Sequence, residues 1–216
     1  MKENVKTSRL AGQLEKLFNM LNRDFFNGEL PTPIITIQST PRAYGHYSKF
    51  DAWSVKGEGR REINIGAGTL DRPIEYTVAT LMHEMCHMLN DIVLNVQDTS
   101  RGGTYHNRAF RDAAASHGLT VTRSDKYGWN CTAPADALFD WMLENDVCDI
   151  LMYRDEPHGI RIAGGNNTAN GGALATGTPA KTNSIRWHCP GCGAIVRSTK
   201  AVNIVCGDCL TPFIVG

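Results

Sequence analysis

One amphipathic helix constrains this chain more than any other feature. Pro73 suits a helix start, since its ring presets φ and its missing N–H would have no partner there, and the pattern runs to about Leu94. With Val78 at 0° and about 100° per residue, Leu81, Met82, Met85, Met88, Leu89, Ile92 and Val93 fall within about 80° of it. His83, Glu84 and His87 fall near 140°, 240° and 180°, angles that are about as good as the helix is regular. One face must be anchored in a core. The other holds two imidazoles one turn apart with a carboxylate beside them.

That pattern, His83-Glu84-Met85-Cys86-His87, is the H-E-x-x-H arrangement of metal hydrolysis. Two neutral imidazoles hold Zn²⁺, an open position holds water, and the metal lowers that water's pKa towards ~7. Glu84 can take the proton during attack on a carbonyl and return it to the leaving amine. A third protein ligand is needed. The metzincin continuation requires Gly at 90 and His at 93, where this chain has Asn90 and Val93. Glu144 is the only glutamate between Glu84 and Glu156, and its surroundings are not those of a ligand helix. Among the remaining histidines of the body, His106 fits best: it follows the Arg101-Gly102-Gly103 loop, which can fold back, and it opens a helix. His117, beside Gly118, reads as a C-terminal cap or surface residue, and His46 as a strand residue or an outer-shell group. Tyr44, Tyr47 and Tyr105 are candidate oxyanion donors, each equally readable as packing or surface.

Around this helix the pattern gives a small sheet and three further helices, an α+β fold. A first helix starts at Thr7 or Ser8, with Leu10, Leu14, Leu17, Phe18 and Leu21 at helical spacing, and stops near Asn27-Gly28. Strands are predicted at 34–37, at 42–50 with a kink at Gly45, and at 61–65. Residues 95–104 read as a loop, 107–117 as a third helix closed by Gly118, and 134–145 as a fourth.

The C-terminal part is organised differently. Residues 151–184, with Gly164-Gly165-Asn166-Asn167 at their centre, have too little apolar surface to pack and read as a flexible linker. Residues 185–216 are too few to fold without a staple. Cys189-Pro190-Gly191-Cys192 and Cys206-Gly207-Asp208-Cys209, separated by 13 residues and flanked by short β-like runs, supply one: four thiolates for a closed structural zinc site in a small β zinc ribbon. Cys86, Cys131 and Cys148 read as buried thiols.

Charge distinguishes the parts. Lys plus Arg and Asp plus Glu are both 22, yet residues 1–150 hold 16 basic and 19 acidic residues (net −3) while 181–216 hold 4 and 1 (net +3). Arg186, Trp187, Arg197 and Lys200 are therefore candidate nucleic-acid contacts, with Trp187 readable either as a base-stacking group or as cover for the ribbon core. No run of about 18 apolar residues would span a membrane, and the chain's start lacks an apolar signal segment. Reduced cysteines in C-x-x-C pairs fit the same expectation, a cytoplasmic protein with no membrane partner.

Phe26-Asn27-Gly28-Glu29-Leu30, the strands, His83-Glu84-x-x-His87 and His106-Asn107-Arg108-Ala109-Phe110 together resemble the SprT-like family, which includes bacterial SprT proteins and the eukaryotic DNA–protein crosslink protease Spartan. The resemblance covers roughly residues 8–120, and bacterial members commonly add a zinc ribbon. It implies a zincin-like domain over 1–150, a linker over 151–184 and a ribbon over 185–216, with one catalytic and one structural Zn²⁺. It implies His83, His87 and His106 as ligands of the first ion, Glu84 as catalytic base, and Cys189, Cys192, Cys206 and Cys209 as ligands of the second. The function implied is a zinc metalloprotease of DNA repair acting on DNA-associated proteins, with DNA, single-stranded or at junctions, as partner. A nucleic-acid or transcription-associated adaptor with little turnover is the alternative, and a non-peptide zinc hydrolase shares the same ligand set. Two features depart from the family: Asn107 stands where glycine is usual, and the segment from His87 to His106 is longer, with the insertion around 99–103. If residues 42–50 form an edge strand beside the metal helix, they can bind a substrate backbone by strand addition.

Overall fold

A computed structural model of the chain describes residues 7–40, 43–147, 149–150, 154, 185–198 and 200–215. It is a mixed α+β structure. The first helix, α1 (Thr7–Phe25), buries Leu10, Leu14, Leu17, Phe18 and Leu21, the stripe its spacing predicts. The chain then turns through Asn27 and Gly28, both at positive φ. The Asn22 side chain holds this turn from both sides, donating to the Leu30 carbonyl and accepting from the Leu30 N–H.

The first sheet contains β1 (Ile34–Gln38), β5 (Glu62–Gly66) and β2 (Gly45–Tyr47), in the order β1-β5-β2, with β1 parallel and β2 antiparallel to the central strand. β5 is buried along Ile63–Gly66, and its Asn64 side chain accepts from Thr36 Oγ1 and Gln38 N–H, fixing the strand to its neighbour. Between β2 and β5 the chain forms a hairpin, β3 (Trp53–Val55) and β4 (Glu58–Arg60), which turns at Lys56 and Gly57, both at positive φ. The alternation that marks a half-buried strand is missing there: all of β3 is exposed.

Helix α2 (Ile74–Met88) lies between this sheet and a second one, packing on β2 and β5 on one side and on residues 128–134 on the other. The second sheet has the order β6-β7-β9-β8: β6 (Thr99–Ser100), β7 (Tyr105–His106), β9 (Gly128–Pro134) and β8 (Leu119–Ser124). The predicted loop at 95–104 therefore closes as a hairpin, with its turn at Arg101, Gly102 and Gly103, all at positive φ. Helices α3 (Arg108–Ser116) and α4 (Asp136–Glu144) complete the body. Phe110 and Leu138 join α1 and α2 in one continuous core.

The regular helix stops at Met88. Residues Leu89–Val93 form a wider turn, in which Leu94 N–H bonds the Leu89 carbonyl five residues back. The extra residue in that turn shifts the helical phase, so Ile92 and Val93 leave the apolar face predicted for them and are exposed at 38% and 36%. The Asp91 carboxylate is turned the other way and accepts from the Tyr47 hydroxyl.

The C-terminal strands β10 (Ile185–His188), β11 (Ile195–Ser198) and β12 (Ile214–Val215) form a separate small sheet in the order β11-β10-β12. Its core is Cys189, Cys206 and Phe213, covered by Trp187 and Val196. Of the β-like runs that flank the cysteine pairs, residues 203–205 contribute only a single pairing, Val205 with Pro212. Apart from Arg154, which bonds Ala67 and Ser39 of the body, the predicted linker lies outside the described residues, as does Cys148. No helix among the described residues is long and apolar enough to cross a membrane.

Candidate metal centre

The three imidazoles arrive from two directions. His83 and His87 stand one turn apart on α2, and His106 is the last residue of β7. The position of His106 is set by strand pairing: it faces Thr99 on β6 and Gly128 on β9, and its N–H bonds the Tyr127 carbonyl at 2.9 Å. Gly128 has to be glycine, since its φ is +70° and a Cβ there would lie 2.1 Å from the His106 carbonyl oxygen. Asn107 follows and caps α3, its side-chain oxygen accepting from Ala109 and Phe110 N–H. Position 107 ends a strand and opens a helix, which an Asn side chain stabilises as an N-cap.

His83 Nε2 lies 3.2 Å and His87 Nε2 3.1 Å from His106 Nε2. A tetrahedral ion with Zn–N bonds near 2.0–2.1 Å separates its ligand atoms by about 3.3 Å, so three nitrogens at this spacing fit one zinc ion. The outer nitrogens of two rings are held away from that point: His83 Nδ1 meets Thr132 Oγ1 at 3.0 Å and His87 Nδ1 meets Asp98 Oδ2 at 2.6 Å. The Phe110 ring packs against all three imidazoles with centroids 4.5–4.6 Å away. Burial, followed by the charge of the other rings, lowers His83 well below the usual imidazole range; burial and His87 lower His106 to about 4. Neutral rings with converging lone pairs are the form that binds a metal.

Glu84 is on the same helix, 5% exposed, beside the edge strand β2. Burial and the nearby Asp98 charge push its carboxyl up to about 8, while a hydrogen bond from the Tyr47 N–H acts in the opposite direction. Gly45 permits the close approach of strand and helix: a Cβ there would lie 2.8 Å from the Asn64 carbonyl, 3.1 Å from Thr80 Cγ2 and 3.3 Å from Glu84 Oε1. Gly66 N–H bonds the Tyr44 carbonyl and Ser48 N–H the Glu62 carbonyl. The alternation of an antiparallel pair then turns the backbone groups of Tyr44, His46 and Ser48 towards β5 and those of Gly45 and Tyr47 towards the open edge.

Other candidates lie apart. His46 is exposed near Glu62, and His117 caps α3, with Nδ1 2.6 Å from the Ala113 carbonyl and its ring stacked on Phe26. The Tyr47 hydroxyl donates to Asp91, Arg123 donates to the Tyr105 hydroxyl, and the Tyr44 ring lies under the Arg72 guanidinium at 3.9 Å. Thr132 and Asp98 are not among the sequence candidates. The alternating Thr-Val-Thr of 120–122 and the Gly128 turn signal the β8–β9 hairpin that carries Thr132; nothing local signals Asp98.

In the C-terminal sheet the sulfurs of Cys189, Cys192, Cys206 and Cys209 all lie within 4.8 Å of one another, with Cys192 and Cys206 at 3.6 Å. The Thr211 hydroxyl and backbone N–H groups hold Cys189 down to about 6, while its hydrogen bond with Cys192 and burial push Cys209 up to about 12. Four thiolates this close require a cation to coexist. Trp187 covers this core and donates to Ser198 Oγ, and Arg186 and Lys200 are exposed. Arg197 pairs with Asp149 and, at 3.2 Å, with the buried Glu75 at the start of α2, so it is engaged with the body.

No curated protein and no solved structure matches the chain. The sequence pattern of the SprT-like family, whose members are associated with zinc and a metalloprotease-like function, matches residues 14–125. That span is just over half of the chain and takes in His83, Glu84, His87 and His106 but not the C-terminal cysteines. The chain belongs to the SprT-like family.

Proposed function

We propose that this chain is a zinc-dependent metallopeptidase that cleaves DNA-associated proteins, with His83, His87 and His106 as ligands of a catalytic ion and Glu84 as general base. Residues 185–216 are, in this reading, a ribbon stapled by a second zinc on Cys189, Cys192, Cys206 and Cys209. The observation that carries the proposal is the meeting of three imidazole Nε2 atoms, a buried carboxylate on the same helix, and the edge strand β2.

An extended peptide added to β2 would bond the Gly45 backbone groups and the Tyr47 carbonyl, the Tyr47 N–H being engaged with Glu84, and such bonds recognise main chain rather than side chains. That suits a protease acting on varied proteins. The ion, when bound, supplies a Lewis acid for the scissile carbonyl and a positive charge that returns Glu84 to its carboxylate form. The Glu84 carboxylate, oriented by the Tyr47 N–H, accepts a proton from the attacking water and delivers it to the leaving nitrogen. Exposed Arg186 and Lys200 are the ribbon groups best placed to meet a phosphate backbone.

The test is cleavage of a DNA-binding protein by the zinc-loaded chain and by Glu84→Gln, with and without single-stranded DNA. Loss of a general base costs about 10²–10⁴ in rate, so Glu84→Gln should fall by that factor while keeping both metals. Undiminished cleavage by that variant refutes the assignment. A folded wild-type chain carrying two zinc ions and cleaving nothing points to the adaptor reading. Cleavage indifferent to DNA keeps the protease and discards the DNA-associated substrate.

A further inference from the structure

Asp98 is 0% exposed, a place where a lone carboxylate is costly. Every bond it makes connects elements of the site. One oxygen meets His87 Nδ1 at 2.6 Å and Asn90 Nδ2 at 3.3 Å; the other accepts from Lys49 Nζ at 2.6 Å. Lys49 also donates to Thr99 Oγ1, on the strand that pairs with His106, and it lies two residues beyond the end of β2. The Asp98 carbonyl, in turn, accepts from Asn107 N–H at the start of α3. The hairpin at 99–106 begins immediately after Asp98.

We infer that Asp98 is a positioning residue, which fixes the His87 ring with Nε2 towards the ion and, through Lys49, sets the metal helix against the substrate-binding edge of β2. The inference rests on the metal-centre reading. The chemistry is general: an imidazole that binds a metal through one nitrogen is oriented by what the other nitrogen donates to, and a carboxylate there also makes the ring a stronger ligand. Lys49 gives Asp98 a second task. It balances the charge of the buried carboxylate and ties the end of β2 to the residue that holds His87, so the strand and the metal ligand share one anchor.

The full-length chain tests this by ¹H–¹⁵N NMR of its histidine rings. In the zinc-loaded wild type, His87 should be metallated at Nε2 and should keep a slowly exchanging, downfield Nδ1 proton. Chelator titration followed on the His83 and His106 rings reads the affinity of this site separately from the cysteine site. Asp98→Ala should lower it by about 10–100-fold. Asp98→Asn, whose amide oxygen can still accept from His87, should recover part of that loss. Lys49→Met should keep affinity near the wild-type value and raise KM for an unfolded protein substrate more than it lowers kcat. Unchanged zinc affinity in Asp98→Ala overturns the positioning role, and unchanged KM in Lys49→Met overturns the coupling to β2. Should Asp98→Ala not fold, the wild-type spectrum decides: metallation of His87 at Nδ1, or a rapidly exchanging Nδ1 proton, defeats the inference. Ring resonances indifferent to zinc in the wild type would instead remove the metal-centre reading itself.

Discussion

Gly45→Ala puts the contact between β2 and the metal helix to a quantitative test. The added methyl would lie 2.8 Å from the Asn64 carbonyl oxygen, against an ordinary C···O contact of about 3.3 Å or more, so the strands must part by roughly half an ångström. The obstacle is backbone of the central strand β5, so no side-chain rotation relieves it. Thr80 Cγ2 at 3.1 Å and Glu84 Oε1 at 3.3 Å close the other direction. Overpacking of this kind costs about 1–3 kcal/mol, and restriction of the unfolded chain by alanine offsets about 0.4–1 kcal/mol. The net expectation is a loss of about 1–2 kcal/mol, which at a urea m-value of about 1–3 kcal/mol/M lowers the midpoint by about 0.3–2 M. Activity should fall further than stability does, because the same shift carries the Tyr47 N–H away from Glu84. Zinc bound at the three histidines should be unaffected, since none of them is on β2. Urea unfolding, metal content and kcat/KM on one preparation decide the matter. A Gly45→Ala protein with wild-type midpoint and wild-type kcat/KM would show that strand and helix are not in the close contact described.

Particular residues carry three further predictions. Asn107→Ala removes the α3 cap and should cost about 0.5–2 kcal/mol, whereas Asn107→Gly should cost only a few tenths; equal losses in chemical unfolding would remove the capping argument. Cys206→Ser, or chelation of the cysteine site, should unfold the C-terminal sheet, whose buried core includes two of the cysteines themselves, and leave α1–α4 folded. Backbone amide NMR distinguishes the two parts, and a dispersed C-terminal spectrum without metal contradicts the expectation. If the C-terminal sheet binds DNA, Arg186→Ala should lower the slope of log affinity against log salt by about 1 and Arg197→Ala by less, because Arg197 already pairs with Glu75 and Asp149. A larger effect from Arg197 would mean that DNA displaces that pair.

The parts of the site readable from sequence are those set by local periodicity. Helical spacing placed His83, Glu84 and His87 on one face and Met82 and Met85 on the other, where they are buried. His106 was the best remaining histidine by elimination, and it does meet the other two. The continuation of that periodicity to Val93 misled, because one wide turn rotates the phase and a sequence pattern counts residues as though every turn were alike. The hairpins at 53–60 and 119–134 were missed for different reasons. The first has no buried face to impose alternation; in the second, β9 is half-buried almost throughout and β8 is buried only at its two ends.

By itself, then, the sequence determined what depends on residues close together in the chain: the α2 stripe, the imidazole pair with its carboxylate, the C-x-x-C pairs that suit a metal staple, and the α+β class. Tertiary structure alone decided what depends on long-range pairing. It brought His106 to within 3.2 Å of the α2 pair through β7, seated Asp98 between His87 and Lys49, and set Gly45 against Glu84. The physical reason is that helical neighbours follow from a fixed rise and turn, whereas contacts between residues 11 to 49 apart on different elements depend on strand register and on which polar groups burial leaves in need of a partner.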